Sequence, residues 1–234
     1  MRKVCLLLAF GAMLVPGAAR AGFAPLPFLY EADPYFSLTT GIGDASNYKR
    51  ALNREIRVGK HQGVAFAFGY KYRTWRFELE AAYRASSVEG YMYVDREPFR
   101  PTLRLRQGAA SGTIQDTALL FNAYYDFPTG RIWRPFVGGG MGVSHLALRD
   151  FQRPDTDTGH LRSSDWDLVL AYQLMAGLLF ELHPATDLTI GYRYFGSENI
   201  DWQVHDPVRA DRTETIKYTG TNVHLFEVGL HFRF

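Results

Sequence analysis

Glu78 and Glu80 stand two residues apart, with Arg76 before them and Arg84 after. Two carboxylates at that spacing could share acid–base work, but in a strand they point the same way as both arginines. Ion pairing is therefore the chemistry this quartet favours. Ser144 and His145 are the raw material of a nucleophile and its base. Adjacent residues of a strand face opposite sides, so they do not form a catalytic dyad. His224 could meet Asp165 or Asp167 only through a loop arrangement that the sequence does not impose. The sequence has neither a His-x-x-x-His pair with a carboxylate nor a glycine-rich loop opening a helix. No catalytic residue, metal ligand or cofactor is assigned.

The elements that must carry these residues alternate with period two, as half-buried strands do. The expected strands run from about Tyr35 to Ile42, Gly63 to Tyr72, Arg76 to Ala85, Thr113 to Phe127, Arg134 to Leu148, Asp167 to Leu182, Leu188 to Phe195 and Thr221 to Phe234. One face of each is apolar: Phe77, Leu79, Ala81 and Tyr83 on the third, Phe226, Val228, Leu230 and Phe232 on the last. The opposite faces carry glycine or a polar set: Glu78, Glu80, Arg84, Asn122, Tyr124, Asp126, Gln173, Glu181, Arg193, Glu227 and His231. A soluble sandwich would bury the apolar face and wet the polar one. A membrane barrel reverses this, with lipid outside and paired charges filling the lumen. Several strands reach the roughly 9–11 residues that a tilted crossing needs.

The connections separate the two options. Arg73–Trp75, Pro128–Trp133 and His183–Asp187 are short and rich in turn formers. The others, about 43–62, 86–112, 149–166 and 196–220, are long and polar. Strict alternation of short turns and long loops is the layout of an outer-membrane barrel. The expected fold is thus all-β: an eight-stranded, antiparallel, up-and-down transmembrane β-barrel. Tyr72, Trp75, Phe127, Trp133, Phe180 and Phe234 gather toward the short-turn rim, where an aromatic girdle is expected.

Residues 1–21 read as a signal peptide, with basic Arg2 and Lys3, an apolar run to Pro16, and Ala19-Arg20-Ala21 before the cut. The barrel domain is then 22–234. Of the 26 basic residues three lie in the leader, leaving 23 against 24 acidic ones and a net charge near −1. That balance gives no support for nucleic-acid binding. The sole cysteine, Cys5, is also in the leader, so disulfides and thiolate chemistry are not expected in the mature chain.

Taken together, Asn122-Ala-Tyr-Tyr-Asp-Phe127, Arg134-Pro-Phe-Val-Gly-Gly-Gly-Met-Gly-Val143, Tyr172-Gln-Leu-Met-Ala-Gly177 and Leu188-Thr-Ile-Gly-Tyr-Arg-Tyr194 resemble the opacity-protein and OmpA-like small surface-antigen barrels of Gram-negative bacteria. The resemblance covers the mature chain. It implies an outer-membrane location, contact with outer-membrane lipid and lipopolysaccharide, and a final aromatic, Phe234, read by the barrel-assembly machinery. It implies no shared catalytic set. The sequence shows no peptidoglycan-binding domain after Phe234, so the role of larger members is not expected. The expected function is non-enzymatic: envelope integrity, or adhesion and recognition through the loops. Tyr91, Tyr93, Arg104, Arg106, Trp202, Arg209 and Arg212 are candidate loop contacts for a host or surface ligand. A lipid A-modifying enzyme and a narrow porin-like channel are the alternatives.

Overall fold

Strand pleating sends neighbouring side chains to opposite sides, and this chain keeps one side apolar almost throughout. The computed structural model describes residues 33–46, 48–50, 54–95, 104–108, 111–155, 159–205 and 213–234. The expected signal peptide lies outside the described residues.

Twelve strands are present among the described residues: β1 (Asp33–Ala45), β2 (Tyr48–Arg50), β3 (Arg54–Tyr72), β4 (Trp75–Asp95), β5 (Arg104–Gly108), β6 (Ser111–Asp126), β7 (Trp133–Asp155), β8 (Gly159–His183), β9 (Thr186–Ser197), β10 (Ile200–His205), β11 (Thr213–Tyr218) and β12 (Asn222–Arg233). Eight of them close a ring, β1-β3-β4-β6-β7-β8-β9-β12, and β12 returns to pair with β1. All ring pairings are antiparallel. Closure removes every open edge from the ring, which a bilayer requires. At the seam Phe36 lies opposite both Phe232 and Phe68. The Phe36 and Phe232 rings stack 4.9 Å apart.

The wall is apolar outside and polar inside. Outward side chains such as Leu38, Phe66, Phe121, Leu174 and Val228 are about half exposed, and Met141 is 72% exposed. An uncovered apolar band encircling the ring has no place in water; lipid is its solvent. Trp75, Phe127 and Phe234 are exposed at the short-turn rim. There Tyr125 meets Trp75 and Phe127 edge-on at 5.1 and 5.0 Å.

The strands outrun the expected ends on the other rim. β4 continues to Asp95, and β7 and β8 reach Asp155 and Gly159, so the expected loop 149–166 is mostly a paired hairpin. Small strands extend the wall further: β5 on β4, and β2 on β3, with β10 and β11 forming a hairpin whose Tyr218 meets Arg50. The reason is physical. Backbone ladders need no polarity alternation, and the alternation fades once the outer face has left lipid.

Candidate functional site

Inward-pointing residues of the eight strands fill the barrel. An eight-stranded lumen is just wide enough for that, and room is made locally. Gly138 and Gly140 of β7 face inward, where a Cβ would overlap the Tyr124 ring and the Asn122 amide arriving from β6. Large residues on one strand thus occupy the space glycine leaves on the next.

The centre is a bonded network around Glu80 of β4 and Arg193 of β9. Arg193 donates to Glu80 at 2.5 Å, to Gln173 at 2.7 Å and to Glu227 at 2.8 Å. Asn122 donates to Glu80 at 3.0 Å, and Gln173 donates to Asn122 at 2.7 Å. Toward the short-turn rim, Arg76 forks onto both oxygens of Asp126 at 2.9 and 3.0 Å. Tyr35 donates to Glu78 at 2.7 Å, and the Arg76 guanidinium lies 4.6 Å from the Tyr124 ring centre. On the opposite side Arg84 donates to Asp116 at 3.2 Å and covers the Phe195 ring at 4.0 Å. Ser144 donates to the same Asp116. Beside Arg84, Leu120, Phe195 and Leu225 form one apolar cluster, and further along Ile114, Leu146 and Leu148 form the next, with buried His61 and Ser86 on the neighbouring strands.

Buried charges are tolerated only when paired and hydrogen-bonded, and here Arg76, Arg84 and Arg193 each meet carboxylates. A cavity of about 30 Å³ remains, bordered by Ser37, Thr189, Glu227 and His231, room for about two water molecules. The arrangement stiffens and fills the barrel. It does not unite the nucleophile and base candidates of the sequence. Ser144 is buried on Asp116, whereas His145 stacks on Trp166 at 5.1 Å. His224 faces outward and pairs with Tyr192 rather than with Asp165 or Asp167.

With this geometry in view, comparison with known proteins is decisive on family. The outer membrane protein β-barrel domain family matches residues 5–234. The chain belongs to that family. As an outer-membrane β-barrel of Gram-negative type, it shares its fold with Neisserial surface protein A, at 14% identity and a TM-score of 0.51, covering 86% of this chain and 97% of that one. The outer-membrane protease OmpT of Escherichia coli superposes with a TM-score of 0.53 at 10% identity, over 87% of this chain and 96% of OmpT. A major outer membrane protein of Thermus thermophilus gives 0.52 at 14% identity, over 86% and 99%. In sequence, an uncharacterised protein of Brucella abortus strain 2308 is 24% identical over 225 residues, covering 83% of this chain and 74% of the relative.

Most of the polar residues named from the sequence line the lumen of this outer-membrane barrel. Glu78, Glu80, Arg84, Asn122, Tyr124, Asp126, Gln173, Arg193 and His231 are buried there, and Glu227 is half-buried. Glu181 is the exception: its side chain is 41% exposed at the short-turn rim. It lies two residues before the end of β8, beside a register shift, where the wall opens to solvent, and it is 4.0 Å from Arg134 and 3.8 Å from Arg233. Tyr35, Asp116 and Asp187 also point into the barrel, and sequence reasoning did not single them out as polar lining. Their signal was the parity they share with the inward residues of their strands. Tyr91 and Tyr93 stand on β4, Arg104 and Arg106 on β5, and Trp202 on β10, with Tyr93 in register with Arg106. The side chains of these five, like Arg209 and Arg212 entirely, lie outside the described residues.

Proposed function

We propose that this outer-membrane barrel is a non-enzymatic surface protein, exported through the leader 1–21, that acts through the hairpins it holds above the membrane. The observation that carries the reading is the pairing of a filled lumen with strands that continue far past the apolar band. β8 alone has 25 residues, more than twice what one crossing needs. A packed, ion-paired cylinder favours anchoring over transport, and long ladders project a binding surface away from the lipid. In this reading the short turns face the periplasm and the hairpins face outward. Tyr91, Tyr93, Arg104, Arg106, Trp202, Arg209 and Arg212 contribute the contact surface toward a host or surface ligand. Phe234, which is exposed on the outer wall 6.3 Å from the Phe36 ring, serves as the aromatic read by the assembly machinery.

The test compares cells carrying the whole chain with cells in which 151–163 and 201–218 are replaced by tight turns. Heat-dependent gel mobility first establishes that both barrels are folded. Trimming is expected to abolish attachment to immobilised glycans or matrix proteins while leaving the barrel in the membrane. A protein-dependent change in lipid A mass, or a steady unit conductance in planar bilayers, would overturn the reading in favour of an enzyme or a channel.

A further inference from the structure

Six charged side chains of inward phase stand at the short-turn mouth on six strands: Asp33 of β1, Lys71 of β3, Arg134 of β7, Glu181 of β8, Asp187 of β9 and Arg233 of β12. Three are cations and three are carboxylates, but Asp33 and Glu181 are exposed, which leaves Asp187 as the shielded carboxylate of the six. The deeper Asp126 does not make up the difference, because both its oxygens are held by Arg76. The pairing that exists is loose. Arg233 reaches Asp187 at 3.0 Å, but Arg134 comes no nearer than 3.9 Å to Asp187 and 4.0 Å to Glu181. The Nε and Nη2 of Arg134 and the Nε of Arg233 are shielded from solvent and donate no hydrogen bond. Lys71 is half-buried and within electrostatic range of Arg134, Asp126, Asp187 and Arg233.

A shielded guanidinium that leaves donors unmade forfeits their full solvation. Water would satisfy the donors but not the surplus charge; an oxyanion does both, and the guanidinium fork matches it. We propose that the short-turn mouth of the barrel is a phosphate-binding site, built by Arg134, Arg233 and Lys71 around the Asp187 carboxylate. Three cationic groups on three separate strands suit the several acceptor oxygens of a phosphate. The same chemistry is offered by a lipid headgroup bent into the rim and by a free phosphate in the adjoining space.

The probe is inorganic phosphate, followed by its phosphorus-31 resonance against the refolded barrel in uncharged maltoside micelles. Saturable binding is expected. Arg134→Gln weakens it on the order of tenfold, as loss of charged hydrogen bonds should. Glu181→Gln, which removes a competing exposed carboxylate, tightens it by roughly threefold. Arg131→Gln, in the neighbouring turn, leaves it unchanged. Gel mobility checks that each variant is folded; if Arg134→Gln does not fold, Lys71→Gln and Glu181→Gln decide. No saturable binding, or equal binding by all folded variants, overturns the proposal. Repeating the titration in phosphatidylglycerol nanodiscs assigns the source: binding that persists supports a free phosphate, and binding lost there supports a headgroup already in place.

Discussion

Arg193→Met asks whether the lumen is held by charge pairing or merely filled. Arg193 is the hub: it serves Glu80, Gln173 and Glu227 at 2.5–2.8 Å. Its removal has unequal effects on the two carboxylates. Glu80 keeps Asn122 at 3.0 Å and Arg84 at 3.8 Å. Glu227 has no second cation within 4 Å among the described residues. Breaking a buried pair costs about 3–5 kcal/mol; with Glu80 still partnered, the lower end, about 3 kcal/mol, is expected. Most of that cost is the stranded Glu227 charge. Adding Glu227→Gln to Arg193→Met should therefore recover about 1–2 kcal/mol. The assay is urea unfolding in phosphatidylcholine vesicles, followed by tryptophan fluorescence and by gel mobility. An Arg193→Met barrel within about 1 kcal/mol of the parent, or a double variant no more stable than the single one, would refute the reasoning.

Adjacent glycines of β7 should behave oppositely in the same assay. Gly140→Ala drives a methyl into Asn122 and should cost about 1–3 kcal/mol, whereas Gly139→Ala, whose nearest neighbour would be Leu174 at 3.7 Å, should be nearly neutral. Met141→Arg sets a charge on the lipid face and should cost about 2–4 kcal/mol in vesicles; a neutral result would remove Met141 from the membrane. His61 is buried where its outward neighbours Lys60 and Gln62 are exposed and polar, above the apolar band. Burial, and then the like charge of Arg84, lowers its pKa from 6.5 to about 4. The folded state holds it neutral, so its contribution is whole above pH 6.5 and is lost as pH falls toward 4. That amounts to about 3 kcal/mol, and His61→Leu should flatten this part of the pH–stability curve; equal slopes would count against it.

The number of ring strands and the side each residue faces could be read from the chain because both follow from period-two alternation. Phe77, Leu79 and Tyr83 announce lipid, and Glu78 and Glu80 announce the lumen, without any knowledge of partners. Strand ends were harder to read. The stretch before Asp167 looks like loop by polarity, yet β8 begins at Gly159 because hydrogen bonding to β7 continues there. Parity misled at Glu181, which keeps the inward phase but falls where the lumen opens. The pairing of Glu80 with Arg193 is invisible in one dimension. It depends on how far the sheet curls before it closes, a property of the whole ring and not of either strand.

The Glu80–Arg193 bond spans the lumen between strands on opposite sides of the ring, 113 residues apart in the chain. An open, partly curled sheet cannot make it. Arg84–Asp116 and Arg76–Asp126 form within the adjacent β4–β6 pair, but until the ring closes Glu80 and Arg193 at its centre stay apart. The order of events during insertion follows from this. Stepwise deposition of hairpins into the bilayer would accumulate stranded charge, while curling the sheet in a wet setting lets the charges find partners first. The lumen thus acts as a latch that engages late, making the last step of assembly steep, slow and hard to reverse.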